Sequence, residues 1–220
     1  MMEREMIGHK AQRFFEDLWQ GGDYWDFERS EYEYSRCQHL LEMLGGRHYA
    51  RVLEIGCGAG FLTSFLARIA DQIVALDISP AAIERARVRG AGPAVVDFRV
   101  ANIMDYKPDV DGPWDLIVLS DTLCYLGWLY PFFDVAWLAL HLCEVTRPGG
   151  RLLLANSMGE GEDWLLRPWL IRTYRDLFVN VGYTIEDEQV FKGSKNGVDF
   201  EVLMTLYAKG PAGISASHVP

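Results

Sequence analysis

Short apolar runs alternate with longer amphipathic segments along most of the chain, and this alternation constrains the fold more than any other feature. The apolar runs have strand length and are bounded by Gly, Pro or Asp, a pattern typical of buried parallel strands. They cover residues 52–55, 73–76, 95–100, 116–119 and 152–155. Between them, apolar residues recur at helical spacing over 61–69, 81–89 and 132–146. Because such βαβ units cross over right-handedly, the sequence predicts an α/β fold with a doubly wound sheet.

The last third of the chain departs from this alternation. A helix is predicted over 164–181, and two strands follow over 183–191 and 200–208, separated by a short glycine-containing segment, 193–197. That connection is too short for a crossover helix, so the two strands must be antiparallel neighbours. Residues 210–220 are small and polar without periodicity, and we expect them to form a flexible tail.

The amino-acid composition limits which classes of partner the protein is expected to bind and where in the cell it is expected to act. The 220 residues suffice for one domain with a sizeable core, and 31 acidic against 21 basic residues give a formal net charge of −10. This balance disfavours nucleic acid and anionic membranes as partners and favours a neutral or cationic small molecule. Four scattered cysteines predict neither a disulfide scaffold nor a metal site. The acidic start is unlike a secretory signal, and the most apolar stretch, 127–142, is too short to span a bilayer, so we expect a cytoplasmic protein.

The strongest local motif is a glycine-rich turn at the end of a predicted strand, Glu54-Ile55-Gly56-Cys57-Gly58-Ala59-Gly60. Glycines let the backbone turn sharply and approach a ligand at the start of the next helix. A dinucleotide fingerprint needs a third glycine where Phe61 stands, so that pattern fails. Glu54 would repel pyrophosphate but attract an ammonium group, and Asp77 ends the next strand, where a carboxylate accepts ribose hydroxyls. The pair indicates a ligand with a ribose and a cationic end, while the glycines alone also fit a purely structural turn.

From Val52 to Ala208 the sequence resembles the class I S-adenosylmethionine-dependent methyltransferases. The glycine-rich turn is similar to their acid-x-Gly-x-Gly-x-Gly motif, Asp77 to their ribose-binding acid, and Asn102 to the polar residue that meets adenine. Residues 114–121 resemble their fourth strand, and 146–152 resemble the Pro-Gly-Gly turn that enters the fifth.

This resemblance implies S-adenosyl-L-methionine as cofactor and S-adenosyl-L-homocysteine as product. It also implies a Rossmann-like seven-stranded sheet, mostly parallel with an antiparallel C-terminal strand. The chain would divide into an N-terminal helical cover (1–45), a cofactor-binding domain (46–209) and the tail. The cofactor-binding residues that the resemblance implies are Trp25, Glu54, Gly56, Cys57, Gly58, Gly60, Asp77, Ile78, Asn102, Ile103 and Ser120.

Aromatic and acidic residues are dense ahead of the first strand, and this segment resembles the NodS-like nodulation N-methyltransferases. The shared pattern is Asp-x-Trp followed by Ser-x-Tyr-Glu, here at Asp23, Trp25, Ser30, Tyr32 and Glu33. Residues 121–126 resemble that group's acid-x-Leu-x-Tyr-Leu segment. The resemblance implies methyl transfer to the amine of an amino sugar or a related small amine.

Methyl transfer to an amine needs the unprotonated nitrogen, so a carboxylate or histidine must take the proton or hold the neutral amine. Asp121 is the first candidate base, because it follows a central strand at the edge where open α/β sheets bind ligands. The alternative role for Asp121 is to cap the following helix. Tyr32 and Tyr125 are candidates for orienting the amine, and Trp25 is a candidate for closing over the cofactor. Residues 156–164 fit a mobile lid and a plain solvated loop equally well.

Other functions stay open at this point. An O-methyltransferase acting on a hydroxyl of a sugar or natural product is the nearest alternative, and a non-catalytic S-adenosylmethionine-binding protein is another. A nicotinamide oxidoreductase is disfavoured by Phe61 and by the terminal strand pair. A monomer and a homodimer are both compatible with the sequence.

Overall fold

A seven-stranded sheet organises the molecule, as the computed structural model shows for residues 2–159 and 164–211. The strand order is β3-β2-β1-β4-β5-β7-β6, and only β7 runs antiparallel to its neighbours. The strands are β1 (Tyr49–Ile55), β2 (Ala70–Asp77), β3 (Val95–Val100), β4 (Trp114–Ser120), β5 (Thr146–Met158), β6 (Tyr183–Lys195) and β7 (Val198–Lys209). The predicted sheet, including its antiparallel C-terminal strand, is confirmed.

Helices cover both faces of this sheet. They are α1 (Met2–Gln20), α2 (Glu31–Met43), α3 (Phe61–Leu66), α4 (Pro80–Arg89), α5 (Pro108–Asp111), α6 (Leu123–Leu129), α7 (Phe132–Val145) and α8 (Pro168–Asn180), with a single 3₁₀ turn at Trp164–Leu166. Val52 packs into an apolar layer with α2, α3 and α4, whereas its neighbour Leu53 packs into a second layer with α7 and α8. Because successive residues of a strand point to opposite faces, both must be apolar, which explains the continuous apolar runs.

Three local boundaries differ from the sequence prediction. The predicted five-residue connection between the last strands is a two-residue turn in which Asn196 and Gly197 have φ of 53° and 77°, the pattern that favours Asn-Gly in tight hairpins. The last helix begins at Pro168 rather than Trp164, since proline fits the first helical turn but not a helix interior. The Pro-Gly-Gly turn lies within β5, where the pairing with β4 shifts register between Trp114 and Leu116.

The N-terminal helices pack onto the carboxyl edge of the sheet. In α1, the Gln12 amide donates to the Ile78 carbonyl at 3.2 Å. Glu16 accepts hydrogen bonds from the Ser79 hydroxyl (2.6 Å) and the Ala81 N–H (3.0 Å), so it caps α4 from outside. Both α1 and α2 precede β1 and lie within residues 1–45, the range for which the sequence predicts a helical cover.

Some expectations concern parts of the chain that are not described. The expected lid or loop over 156–164 is described only in part, because 160–163 lie outside the described residues, and residues 156–158 extend β5. Most of the expected tail, 212–220, also lies outside them. Among the described helices, none combines the length and the apolar character needed to cross a bilayer.

Candidate active site

A cavity of about 560 Å³ lies at the carboxyl ends of β1, β2 and β4, beneath the N-terminal segment. Open α/β sheets bind their ligands at this edge. Gly60 does not border the cavity: it has φ of 76°, and a Cβ there would lie 3.1 Å from the Ala86 Cβ, so this glycine serves the packing of α3 against α4. The other thirteen residues predicted for the site line the cavity: Trp25, Tyr32, Glu54, Gly56, Cys57, Gly58, Asp77, Ile78, Asn102, Ile103, Ser120, Asp121 and Tyr125.

The glycine-rich turn is shaped by two close approaches. Gly56 has φ of 78°, and a Cβ there would lie 2.2 Å from the Thr122 hydroxyl oxygen. Gly58 has φ of 52°, and a Cβ there would lie 2.8 Å from the ring of Trp19, a buried residue of α1. Both positions therefore require glycine, for backbone conformation and for space. Sequence reasoning missed Trp19, because an apolar residue in an amphipathic helix carries no sign of what it covers.

Glu54 is a buried acid at the end of β1. Its side chain lines the cavity, and its Oε2 atom is buried without a hydrogen-bond partner among the described residues. Burial raises the pKa of Glu54 to about 8; the neighbouring Thr63 hydroxyl opposes this rise, and the nearby Asp77 charge contributes to it. A buried carboxyl with such an unpaired oxygen is suited to bind a cation, because the cation would stabilise the ionised form that burial disfavours.

Asp77 is held rigidly beside the glycine-rich turn. Its Oδ1 accepts from the Ser79 N–H and its Oδ2 from the Gly58 N–H, both at 2.9 Å. Burial raises the pKa of Asp77 to about 6, while the backbone donors oppose that rise. Each carboxylate oxygen retains a further acceptor position, so Asp77 is able to accept the two hydroxyls of a ribose.

Asn102 and Ser120 complete this half of the cavity. The Asn102 amide nitrogen donates to the Tyr130 hydroxyl at 2.8 Å and to Asp105 at 3.0 Å, and its oxygen accepts from the Met104 N–H at 3.1 Å. These bonds orient the amide and leave one acceptor position on its oxygen. The buried Ser120 hydroxyl oxygen has no hydrogen-bond partner among the described residues, as expected of a group that meets a ligand.

Four charged side chains form a connected network in the other half of the cavity. Arg36 donates to Asp121 at 2.5 Å, and its Nε lies 3.2 Å from Glu33. Glu33 in turn accepts from Lys195 at 2.8 Å. The side chains of Arg36 and Glu33 are 7% and 6% exposed, so these pairs are shielded from solvent. All four residues line the cavity.

Asp121 connects the charged network to β5. Its backbone has φ of 48°, and its Oδ1 accepts from the Ser157 N–H at 2.7 Å. The carboxylate is thus bound by Arg36 and by the Ser157 N–H, while Thr122, not Asp121, is the N-cap residue of α6. Sequence reasoning missed Arg36 and Lys195, which are separated along the chain from Asp121 and Glu33 by 85 and 162 residues.

Aromatic rings surround this network. Tyr32 is buried, and its ring lies 5.7 Å from that of Phe191 and 5.6 Å from that of Phe200. Burial raises the pKa of Tyr32 to about 12, so its hydroxyl stays protonated and can donate, and it has no hydrogen-bond partner among the described residues. The ring of Trp25 lies 5.3 Å from that of Trp19, and its carbonyl accepts a hydrogen bond from Lys195.

Tyr125 lies on the side of the cavity formed by α1 and α6, where its ring meets the ring of Phe15 at 5.2 Å.

The four cysteines are buried free thiols. Within the described part of the chain, no group of three or more His, Cys, Asp or Glu side chains is placed to hold a metal ion.

Comparison with known proteins supports the same family as the sequence motifs. The family model for nodulation protein S (NodS) matches residues 10–130, more than half of the chain. Nodulation protein S of Rhizobium tropici is 31% identical over 139 residues, which cover 61% of this chain and 55% of that protein. A ubiquinone biosynthesis O-methyltransferase of Xanthomonas oryzae pv. oryzae is 31% identical over 108 residues, 49% of this chain and 43% of that protein. These alignments span about half the length of the curated relatives.

Solved structures show the same fold. The crystal structure of the N-methyltransferase NodS from Bradyrhizobium japonicum WM9 in complex with S-adenosyl-L-homocysteine superposes with a TM-score of 0.74 at 23% identity, over 90% of this chain and 97% of that chain. The magnesium protoporphyrin IX methyltransferase of Synechocystis PCC 6803 with bound S-adenosylmethionine superposes with a TM-score of 0.62 at 17% identity, over 93% of this chain and 97% of that chain. The architecture is therefore that of class I methyltransferases. With a family model that covers most of its N-terminal half and its first four strands, this chain belongs to the nodulation protein S (NodS) family.

Proposed function

We propose that this protein is an S-adenosylmethionine-dependent methyltransferase that acts on the amine of an amino sugar or a related small amine. The observation that carries the proposal is the buried Glu54 oxygen that lines the cavity without a hydrogen-bond partner among the described residues. Membership of the NodS family supports the reaction class, and a structural neighbour described as an N-methyltransferase supports the amine as acceptor. The net charge of −10 suits a neutral or cationic acceptor.

The residues of the β1–β2 half fit the cofactor. Glu54 is suited to the ammonium group, Asp77 to the ribose hydroxyls, and Asn102 with Ile103 to the adenine. When the cofactor is bound, the backbone of Gly56, Cys57 and Gly58 would lie close to it, Ile78 and Ser120 would line its sides, and Trp25 would cover it, since all six residues line the cavity. When bound, S-adenosylmethionine supplies an electrophilic methyl group on a sulfonium centre, which aromatic faces also attract.

The residues of the other half are suited to hold the acceptor. Asp121 is fixed by Arg36 and by the Ser157 N–H, so its remaining acceptor positions have a constant direction. We assign to it the amine proton: it accepts a hydrogen bond from the neutral amine, and it takes the proton when the nitrogen gains its new bond to carbon. Tyr32 and Tyr125 flank the amine, and together with Trp25 they keep water away from the reacting atoms.

We also propose that the chain consists of a cover (1–45) and a cofactor-binding domain (46–209). We further propose that it is cytoplasmic and acts as a monomer or a homodimer. An O-methyltransferase is the second candidate, because several curated relatives are ubiquinone biosynthesis O-methyltransferases. The buried Tyr32 hydroxyl would serve an amine or a hydroxyl acceptor equally well.

A matched pair of acceptors tests the proposal. Purified protein is incubated with methyl-labelled S-adenosylmethionine and either glucosamine or N-acetylglucosamine. The two sugars carry the same hydroxyls, but the amine is free in the first and acetylated in the second. Labelling of glucosamine alone is the expected result. Labelling of both compounds would favour the O-methyltransferase. S-adenosylhomocysteine binding without transfer to either compound or to any member of an amine library would favour a non-catalytic binding protein.

A further inference from the structure

A line of five aromatic rings runs from the cavity wall to the protein surface. The rings of Tyr125 and Phe15 are 5.2 Å apart, those of Phe15 and Phe14 5.2 Å, those of Phe14 and Trp128 5.5 Å, and those of Trp128 and Trp164 6.1 Å. All four contacts are edge-to-face, a favourable arrangement that keeps the rings in fixed orientations. We call these five residues the aromatic track.

Exposure changes along the aromatic track in the direction of solvent. Tyr125 and Phe15 line the cavity and are partly buried. Phe14, Trp128 and Trp164 are 40%, 39% and 56% exposed. Apolar rings that remain exposed directly beside a cavity leave surface whose burial by a ligand would be favourable.

The cavity wall beside the aromatic track is also apolar. Cys124, Leu129 and Leu166 line it there, whereas Asp121 and Arg36 lie in the charged half of the same cavity. A ligand that reaches from the charged half to the track therefore meets polar groups at one end and a continuous apolar surface at the other. Only an amphiphilic ligand matches both ends.

We infer that the aromatic track is a binding subsite for an apolar substituent, aryl or alkyl, that is attached to the amine-bearing part of the acceptor. The inference rests on the proposed function for the identity of the reacting end. The occupant is the acceptor's own substituent, because the track continues the cavity wall through Tyr125 and Phe15 rather than forming a separate surface patch. A simple amino sugar fills only the polar part of this site.

Binding of two compounds tests the subsite: glucosamine, and its phenyl β-glycoside with the free amine retained. Dissociation constants are measured by calorimetry on protein saturated with S-adenosylhomocysteine. Burial of one ring face corresponds to roughly a tenfold gain in affinity for the phenyl compound. Trp128→Ala and Trp164→Ala should each reduce this ratio, to about threefold or less for Trp128→Ala. Trp137→Ala is the matched control, since Trp137 is 62% exposed on α7, does not line the cavity and makes its ring contact with Phe133.

The outcomes separate this inference from the proposed function. Equal affinities of the two compounds in the unaltered protein, no binding of either, or the same ratio in Trp128→Ala would each overturn the subsite. Thermal denaturation of every variant verifies that it is folded. If Trp128→Ala does not fold, Trp164→Ala replaces it as the test variant. Methyl transfer is measured separately. If binding depends on the aromatic track but no methyl group is transferred, the proposed function is refuted and the subsite is supported. If methyl transfer occurs with equal KM values in all variants, the subsite is refuted and the proposed function is supported.

Discussion

Binding of S-adenosylhomocysteine should release a proton from Glu54, and the number of protons can be worked from the structure. Burial raises the pKa of this carboxyl from 4.5 to about 8, so at pH 7 about nine-tenths of the ligand-free protein carries the proton. An ammonium group beside Glu54 favours the ionised form and should bring its pKa well below 7. Binding at pH 7 should therefore release close to one proton.

Calorimetry in two buffers of different ionisation enthalpy measures this release directly. The observed binding enthalpy should depend on the buffer, with a slope close to one proton at pH 7. Asp77 contributes little, because its pKa of about 6 leaves only about a tenth of it protonated at that pH. Glu54→Gln is the control: it should bind more weakly, and its enthalpy should be nearly independent of the buffer. A buffer-independent enthalpy in the unaltered protein, or the same slope in Glu54→Gln, would refute the reasoning.

The same carboxyl should make the ligand-free protein less stable as the pH rises. In the unfolded chain Glu54 loses its proton near pH 4.5, whereas the folded protein retains it up to about pH 8. The folded state therefore binds more protons between these values, and the free energy of unfolding falls across that window. By pH 7 the loss is about 3 kcal/mol, from about 1.4 kcal/mol per pH unit. Glu54→Gln should recover much of this stability in urea denaturation at pH 7, and an unfolding free energy equal to that of the unaltered protein would contradict the prediction.

Two further substitutions test the packing around the site. Gly58→Ala should lower the free energy of unfolding by about 1–3 kcal/mol, because it combines a positive φ with a clash against Trp19. Gly46→Ala isolates the backbone contribution, since Gly46 has φ of 67° and open space around its Cβ position, and equal losses in the two variants would exclude the clash. Arg36→Met should cost about 3 kcal/mol in urea denaturation, because it removes the buried cation that Glu33 and the partly exposed Asp121 share and leaves Glu33 paired with Lys195 alone among the described residues. The control Arg99→Met removes an arginine that is also paired with two carboxylates but is 34% exposed, and it should cost about 1 kcal/mol or less; similar costs would show that burial is not the cause.

The fold and the cavity residues at the ends of β1 and β2 are predictable from the sequence because their signals are local. Apolar runs mark strands by themselves, and the acid, the glycines and the first turn of α3 lie within a few residues of one another. Asp77 is predicted at the same cavity because consecutive parallel strands end at the same edge of the sheet, and it lines that cavity. The differences are equally local: Asn196-Gly197 forms a two-residue turn where the sequence predicts a five-residue connection, and α8 begins at Pro168 where the sequence predicts a start at Trp164.

The charged network of Arg36, Asp121, Glu33 and Lys195 is different, because each of these residues is informative only once its partners are known. Arg36 alone is typical of a solvated helix face, and Lys195 alone is typical of a hairpin end. Once Arg36 is buried, it needs carboxylates, and folding supplies Glu33 from the same helix and Asp121 from the end of β4. No pattern within a short window of sequence specifies that combination.

Lys195 explains how this network is connected to the cover of the site. Its ammonium group bonds both to Glu33 and to the Trp25 carbonyl, and its side chain is only 14% exposed. It thereby joins the end of β6 to α2 and to the segment that contains Trp25. Lys195→Met should therefore loosen two places at once: hydrogen exchange should speed up at the amides of residues 26–30 and at Ser157, whose N–H depends on a fixed Asp121. Faster exchange at only one of the two places would show that residues 26–30 and the Asp121–Ser157 contact are held independently.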